Sequence, residues 1–315
     1  MCTAISMTGK EHLFGRTLDL EKSFGEEVVI TPKGNRFDGF DGFETKYGIV
    51  GTAIVKNGTP LYFDGMNDRG LCAAALNFPS YAYYSKPKSG KLDLPSFAII
   101  PYILGNCADA EEAYRELSRI NVTDTPFSAD MPPSPLHWLF ADKSIAICAE
   151  PKKEGLILHK NPFRVLTNSP DFEYHSARVC DFMGLRAEPP TNSLCKAAEL
   201  TPYSRGLGAM GLPGDLSSSS RFIRALFALE NTDRDKDPVS AFFHIMDTVA
   251  VPSGTVIAEN GRPVRTVYTC CAHTDSLTYY LSTYECRQLH AFPLTDSYTH
   301  VTRFPHPKEE SVKKI

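Results

Sequence analysis

The chain has 315 residues, 42% of them hydrophobic and 22% charged, with a formal net charge of −4. This composition fits a globular protein with an ample core, and no basic run or aromatic-interleaved Lys/Arg stripe points to nucleic acid. The opening segment Thr3-Ala4-Ile5-Ser6-Met7-Thr8-Gly9-Lys10 is mixed, unlike a signal peptide, and no stretch approaches the ~18 apolar residues of a membrane span. Cytoplasmic residence, with no membrane or nucleic-acid partner, is the expectation.

The N-terminal third reads as strands and tight turns. Val28-Val29-Ile30 ends at Thr31-Pro32, and Lys33-Gly34-Asn35 is turn chemistry. Tyr47 to Val55 is a strand run closed by Asn57-Gly58, with Leu61-Tyr62-Phe63 directly after it, which predicts a hairpin. Asn67-Asp68-Arg69-Gly70 is a second turn. It leads into Leu71-Cys72-Ala73-Ala74-Ala75-Leu76, apolar on both faces as in a strand covered on both sides.

Helices follow. Asp109-Ala110-Glu111-Glu112 is a capping box, and Ala113, Leu117 and Ile120 continue it as an apolar stripe. A Pro-rich loop runs from Asp124 to Pro135, and strands return over Leu136–Phe140 and Ile145–Ala149. Pro238 to Val249 is helical in pattern. Arg265–Cys271 and Leu277–Tyr284 are strands rich in Thr and Tyr. The order predicts an α+β chain of two sheets face to face with helices outside. No linker, repeat or low-complexity segment appears, so one domain is expected. Lys308 to Ile315 is polar and expected to fray.

Nine cysteines occur, at 2, 72, 107, 148, 180, 195, 270, 271 and 286, with no C-x-x-C pair. Vicinal Cys270-Cys271 is a poor zinc clamp, so no metal and no cofactor is expected. Most read as buried apolar fillers in a reducing compartment. A thiol or metal-binding protein is the reading from another class, and the missing C-x-x-C pairs argue against it.

Cys2 differs. Cys is small enough to favour removal of Met1, so the mature chain is expected to start at Cys2. A residue that is both thiol and N-terminus carries its own base, because an α-amino group has a pKa of roughly 7.7–8. On position alone Cys2 is equally an ordinary second residue.

Four polar groups stand out beside it. His12-Leu13-Phe14-Gly15-Arg16-Thr17-Leu18-Asp19 follows the first strand by a short turn and should return antiparallel beside Cys2. Arg16 would favour a thiolate and Asp19 would hold the α-amino group, or the two form a surface ion pair. Asn77 ends the apolar run before Phe78-Pro79. It offers an amide to an oxyanion, or it starts a turn. Asn168, in Leu166-Thr167-Asn168-Ser169-Pro170, offers a second amide. Ser217 to Ser220 form a helix N-cap region before Arg221 and Phe222. Arg221 there opposes the helix dipole if it is a solvated first-turn residue.

Together these segments resemble one family, the choloylglycine hydrolases, which are bile salt hydrolases of the N-terminal-nucleophile superfamily with penicillin V acylases as relatives. The resemblance rests on Cys2-Thr3, Phe14-Gly15-Arg16 with Asp19, Gly70-Leu71 through Leu76-Asn77-Phe78-Pro79, and Leu166-Thr167-Asn168-Ser169-Pro170. Leu136-His137-Trp138, Gly211-Leu212-Pro213-Gly214-Asp215, Ser220-Arg221-Phe222 and Thr283-Tyr284 extend it over almost the whole chain.

The resemblance implies a four-layer αββα sandwich over one domain, residues 2–315. It implies Cys2 as nucleophile with its own amine as base, and Arg16 and Asp19 orienting it. Asn77 and Asn168 would serve the oxyanion, and Arg221 would support the transition state. The implied substrates are glycine- or taurine-conjugated bile salts, with a penicillin V or other linear-amide acylase as the alternative. Asn77 favours the bile-salt branch, since the acylases usually carry Tyr there. Thr17-Leu18 departs from the commoner Asn-Met or Asn-Leu. A homotetramer is implied by the family alone. Leu18, Phe127, Met131 and Leu207 are candidate substrate contacts. Gly206-Leu207-Gly208 resembles the taurine-favouring form, although Ser204-Arg205 resembles the glycine-favouring one.

Overall fold

The alternation of one short strand shows how the layers arise. In the Cys72–Asn77 strand and the residue before it, Cys72, Ala74 and Leu76 enter one core, while Leu71, Ala73 and Ala75 enter a second. A strand apolar on both faces needs cover on both sides, and this one has it. The computed structural model describes residues 1–37 and 42–309. The tail expected to fray lies mostly outside the described residues.

Two antiparallel sheets form the centre. The first has the order Val165–Leu166, Cys2–Thr8, His12–Leu20, Pro263–His273, Thr278–Thr283 and His290–Pro293. The second runs Gly155–Lys160, Ala146–Lys152, Leu136–Ala141, Cys72–Asn77, Asp64–Asn67, Ile49–Lys56, Glu27–Thr31 and Thr302–Pro305. Helices Ser218–Asn231 and Pro238–Asp247 add Phe222, Ile223, Phe242 and Met246 to the core of the first sheet. Helices Ile99–Asn106 and Ala110–Leu117 bury Ile99, Ile103, Ala113 and Leu117 against the second sheet. The result is the αββα sandwich, with the helical layers outside.

Local chemistry sets several elements. Asn57 and Gly58 both adopt positive φ, 50° and 78°, in the two-residue turn between Lys56 and Thr59, as a type I′ hairpin requires. The Asp109 side chain accepts from the Glu112 N–H at 2.8 Å, and the Glu112 carboxylate accepts from Ala108 N–H at 2.8 Å. That helix stops at Leu117. Ile120, expected on its apolar stripe, instead opens the strand Ile120–Thr123, which pairs in parallel with Leu92–Pro95. The β-branched run Ile120-Asn121-Val122-Thr123 favours a strand once a partner is present.

Gly15 has a positional reason. A Cβ there would sit 1.9 Å from the Cys270 carbonyl oxygen. Only glycine lets the His12–Leu20 and Pro263–His273 strands approach this closely, and Arg16 is the next residue.

Candidate active site

The first hairpin brings three of the expected residues together. Cys2 pairs with Leu18 and Ala4 with Arg16 across the two strands, and Asp19 N–H donates to the Met1 carbonyl at 2.9 Å. The Met1 ammonium donates to the Asp19 backbone carbonyl at 2.6 Å. The Asp19 side chain is fully buried, and its two oxygens accept from Thr266 Oγ1 at 2.6 Å and Thr17 Oγ1 at 3.1 Å. Thr17, which departs from the family's common pattern, thus holds Asp19 in place.

Arg16 is buried behind the same hairpin. Its Nε donates to Thr17 O at 3.1 Å, and Nη1 donates to Ala75 O and, at 3.4 Å, to Phe63 O. Nη2 is buried without a partner. Burial opposes the guanidinium charge, but the neighbouring Cys2, Tyr268, Asp64 and Cys270 outweigh it, and its pKa is raised. Asp64 is fully enclosed and accepts from Tyr268 Oη, from Tyr279 Oη at 2.6 Å and from Cys270 Sγ at 3.4 Å. Burial dominates there and raises the Asp64 pKa, with Arg16 and the phenols opposing it.

Two more segments close on Cys2 from other parts of the chain. The Cys2 backbone N–H donates to Asn168 Oδ1 at 2.8 Å, and Arg221 Nη2 donates to that same oxygen at 2.7 Å. Arg221 Nη1 donates to the Cys2 carbonyl and to Thr3 Oγ1 at 2.6 Å, and Nε donates to Leu216 O at 3.1 Å. Ser217 caps the helix, so Arg221 lies in its first turn but points inward and is fully buried. Burial lowers its pKa, with Asp19 and Cys2 partly opposing that.

Asn168 is built into this cluster through both its side chain and its backbone. Its Nδ2 donates to the Asn77 carbonyl at 2.8 Å and its backbone N–H to Ser218 Oγ at 2.9 Å. These bonds use the backbone N–H and one of the two Nδ2 hydrogens. Asn77 keeps its half-buried amide at the end of its strand.

An apolar groove adjoins this cluster, with a volume of ≈160 Å³. Its lining includes Phe24, Phe63, Phe97, Phe127, Met131 and Trp138. Ala75, whose carbonyl holds Arg16, also lines it, and Asn77 follows two residues along the same strand. Phe127 and Met131, expected as substrate contacts, line this groove. Leu18 is 6% exposed and packs in the core as the cross-strand neighbour of Cys2. Leu207 sits on the turn Leu207–Ala209 and is not among the groove's lining residues. The two glycines of this loop differ in their reasons. Gly206 has φ of 81°, and a Cβ on Gly208 would lie 2.0 Å from Glu188 O. Neither glycine makes room for a ligand in the groove.

Five other cysteines are held as thiols by burial. It drives the thiols of Cys72, Cys148, Cys270 and Cys271 well above their usual range, and that of Cys107 up to about 12. Such thiols are inert. Among the described residues, His137, Cys148 and Glu150 hold donor atoms within 4.8 Å of one another. Both His137 ring nitrogens already meet protein partners, and Lys152 Nζ lies 3.4 Å from Glu150 Oε2. The group reads as an ion-pair network.

Sequence reasoning missed Thr3, Asp64, Ser218, Thr266 and His175. Each is polar and buried or half-buried, but no spacing marks it, because its partner comes from a distant segment.

Comparison with known proteins agrees with this architecture. A family model for linear amide C–N hydrolases, choloylglycine hydrolase family, matches residues 2–302. A bile salt hydrolase/transferase of Lactiplantibacillus plantarum is 38% identical over 307 residues, covering 96% of this chain and 95% of that one. A conjugated bile acid hydrolase of Lactobacillus acidophilus is 34% identical, covering 94% and 96%. The solved C2A variant of the conjugated bile acid hydrolase from Clostridium perfringens superposes with a TM-score of 0.93 at 32% identity, covering 100% of both chains. The penicillin V acylase of Agrobacterium tumefaciens shares the fold, with a TM-score of 0.76 at 21% identity. With its two-sheet sandwich and a first strand that opens at Cys2, the chain belongs to the choloylglycine hydrolase family of linear amide C–N hydrolases.

Proposed function

We propose that this chain hydrolyses the amide bond of glycine- or taurine-conjugated bile acids, with Cys2 as N-terminal nucleophile. The carrying observation is the convergence on Cys2 of Arg16, Asp19, Asn168 and Arg221, three separate segments meeting at one residue beside an apolar groove. The names of the relatives at 30–38% identity support the substrate class.

The reading requires loss of Met1, leaving one domain of residues 2–315. The freed Cys2 amine then has Asn168 Oδ1 as acceptor and takes the thiol proton. The thiolate attacks the amide carbon, and the resulting oxyanion accepts from the Asn77 side chain. Collapse breaks the C–N bond, and the Cys2 ammonium protonates the departing amine. Water, deprotonated by the same amine, attacks the thioester and releases the bile acid and the Cys2 thiol. Arg221 holds the Cys2 carbonyl and Asn168, while Arg16 stabilises negative charge at Cys2. The groove takes the apolar face of the acyl group, with Phe127 and Met131 as contacts, Leu18 backing Cys2 from the core and Leu207 on the neighbouring loop. No cofactor enters the scheme.

Release of glycine or taurine from glycocholate and taurocholate, set against turnover of phenoxymethylpenicillin, tests the substrate. Turnover of the penicillin alone would transfer the chain to the acylase branch. Intact mass decides Met1 removal.

A homotetramer is part of the same reading. Its support is the apolar exposure between Met183 and Met210, where Met183, Leu194, Tyr203 and Met210 are each more than two-thirds exposed. Light scattering checks it. Cytoplasmic residence is supported by nine unpaired cysteines, and cell fractionation tests it. Among the described residues no helix is long and apolar enough to cross a membrane.

A further inference from the structure

His137 belongs to a motif that the mechanism leaves unused, yet it touches both asparagine-bearing strand ends. Its ring stacks on Phe78, the residue after Asn77, with centroids 4.2 Å apart and planes 9° from parallel. Its Nε2 lies 2.9 Å from the carbonyl of Thr167, the residue before Asn168. Its Nδ1 lies 3.3 Å from Glu150 Oε1. His137 and Glu150 are both fully buried.

The partners dictate the protons. A carbonyl oxygen only accepts, so Nε2 carries a hydrogen. Glu150 Oε1 also accepts from the Phe172 N–H at 2.9 Å, and Lys152 Nζ is 3.4 Å from Oε2. These donors keep Glu150 ionised, so Nδ1 must carry a hydrogen as well. The other charged or titratable groups near this pair are Cys148, whose sulfur lies within 4.8 Å of both and whose thiol burial keeps protonated, His159, with Nε2 3.9 Å from Glu150 Oε2, and Asp171, which binds Lys152 at 2.7 Å. His175 lies on the far side of Asn168. Its Nε2 donates to the Asn168 carbonyl at 2.9 Å, and its Nδ1 is buried without a partner, so His175 is neutral.

We propose that His137 is a positioning residue for the reaction: as an imidazolium paired with Glu150, it ties the strand ends that carry Asn77 and Asn168. His175 and Ser218 clamp the other side of Asn168, on its carbonyl and its N–H. Asn168 then reaches Cys2 N, Arg221 and the Asn77 carbonyl together. The proposal rests on the hydrolase reading for its kinetic consequence, and on geometry alone for the charge of His137.

Two variants test it. His137→Phe keeps the ring that stacks on Phe78 and removes both donors. Glu150→Gln keeps the shape and an oxygen that can face both Phe172 N–H and His137 Nδ1, but removes the negative charge that a doubly protonated ring pairs with. Nitrogen-15 NMR of the labelled parent should show one buried histidine with both ring nitrogens protonated, and Glu150→Gln should lose that signal. In His137→Phe, kcat should fall roughly 10²-fold, as displacement of about 1 Å produces, with KM within about twofold. The rate of iodoacetamide capture at Cys2, read by peptide mass, should shift in the same variant without any substrate present.

A parent spectrum with only one nitrogen of His137 protonated overturns the proposal. So does a folded His137→Phe protein with unchanged kcat and unchanged Cys2 capture. If His137→Phe does not fold, the parent spectrum and the kcat of Glu150→Gln decide. If the parent releases no amino acid from bile salts, the hydrolase reading fails, while the spectrum and the capture rate still judge His137.

Discussion

Arg221 and Cys2 are 219 positions apart, and the Arg221 guanidinium donates to the Cys2 carbonyl while sharing Asn168 Oδ1 with the Cys2 N–H. One buried cation thus fixes Cys2 at two points, directly at its carbonyl and through Asn168 Oδ1 at its N–H. An N-terminal nucleophile needs that restraint, since chain termini otherwise fray.

Replacing Arg221 should show the coupling. Arg221→Ala leaves the Cys2 carbonyl and Thr3 Oγ1 without this donor in a buried site and leaves Asn168 Oδ1 with the Cys2 N–H alone. We expect about 3 kcal/mol of lost stability and a fall in kcat of roughly 10²–10³-fold. Arg221→Lys should recover stability better than rate, because one ammonium nitrogen cannot take the two positions from which Nη1 and Nη2 reach Cys2 and Asn168. Urea midpoints and kcat for both variants check this, and equal recovery of the two quantities would contradict it.

Cys2 and Met1 give a second pair of outcomes. Cys2→Ser should lower turnover at least ~10³-fold with an unchanged melting temperature. Inserting a large residue after Met1 should abolish activity with the thiol present, because the nitrogen of Cys2 then lies in a peptide bond. Alanine at any one of the other eight cysteines should leave substantial activity. Full activity of the inserted chain would place the base elsewhere.

His12 sets an acid limit. It is wholly enclosed, with Nε2 2.9 Å from Ser6 Oγ and Nδ1 3.3 Å from Thr274 Oγ1. Burial first, then Arg164 and Lys143, lower its pKa from 6.5 to about 4, against Asp142 and Asp275. The folded pKa lies below the unfolded one, so its contribution is full above pH 6.5 and is lost as pH falls toward 4. The loss between pH 7 and 4.5 should be roughly 2–3 kcal/mol. His12→Gln should flatten that part of the stability curve, and denaturant titrations at pH 7, 5.5 and 4.5 would reveal a slope left unchanged.

Gly15→Ala should prevent normal folding. Its Cβ would meet the Cys270 carbonyl oxygen at 1.9 Å and Cys271 Cα at 3.0 Å, and backbone in the middle of a sheet cannot yield cheaply. We expect at least about 3 kcal/mol of destabilisation, seen as insoluble expression or a melting transition lowered by more than ~8 °C. A soluble variant with parental melting would contradict the packing of these strands.

Much of this protein was legible from its residues alone. Asn57-Gly58 specified a hairpin, Asp109 with Glu112 a helix start, and the doubly apolar Leu71–Leu76 run a strand with cover on both faces. Each is a local rule, where neighbours within a few positions carry the physics. The order of motifs around Cys2, Arg16, Asp19, Asn168 and Arg221 also marked the family. What only the tertiary structure decided is which atom faces which. Asn168 was legible as an amide near Cys2, but its anchoring on Asn77 O through one Nδ2 hydrogen and on Ser218 Oγ through its N–H was not. Ile120 looked helical, but a strand partner from Leu92–Pro95 claimed it. Gly208 stood in a loop motif, but what it packs against is the Glu188 carbonyl, which a Cβ would approach to 2.0 Å. In each case the competing partner lies more than ten residues away, and sequence spacing carries no information about a contact that chain topology creates.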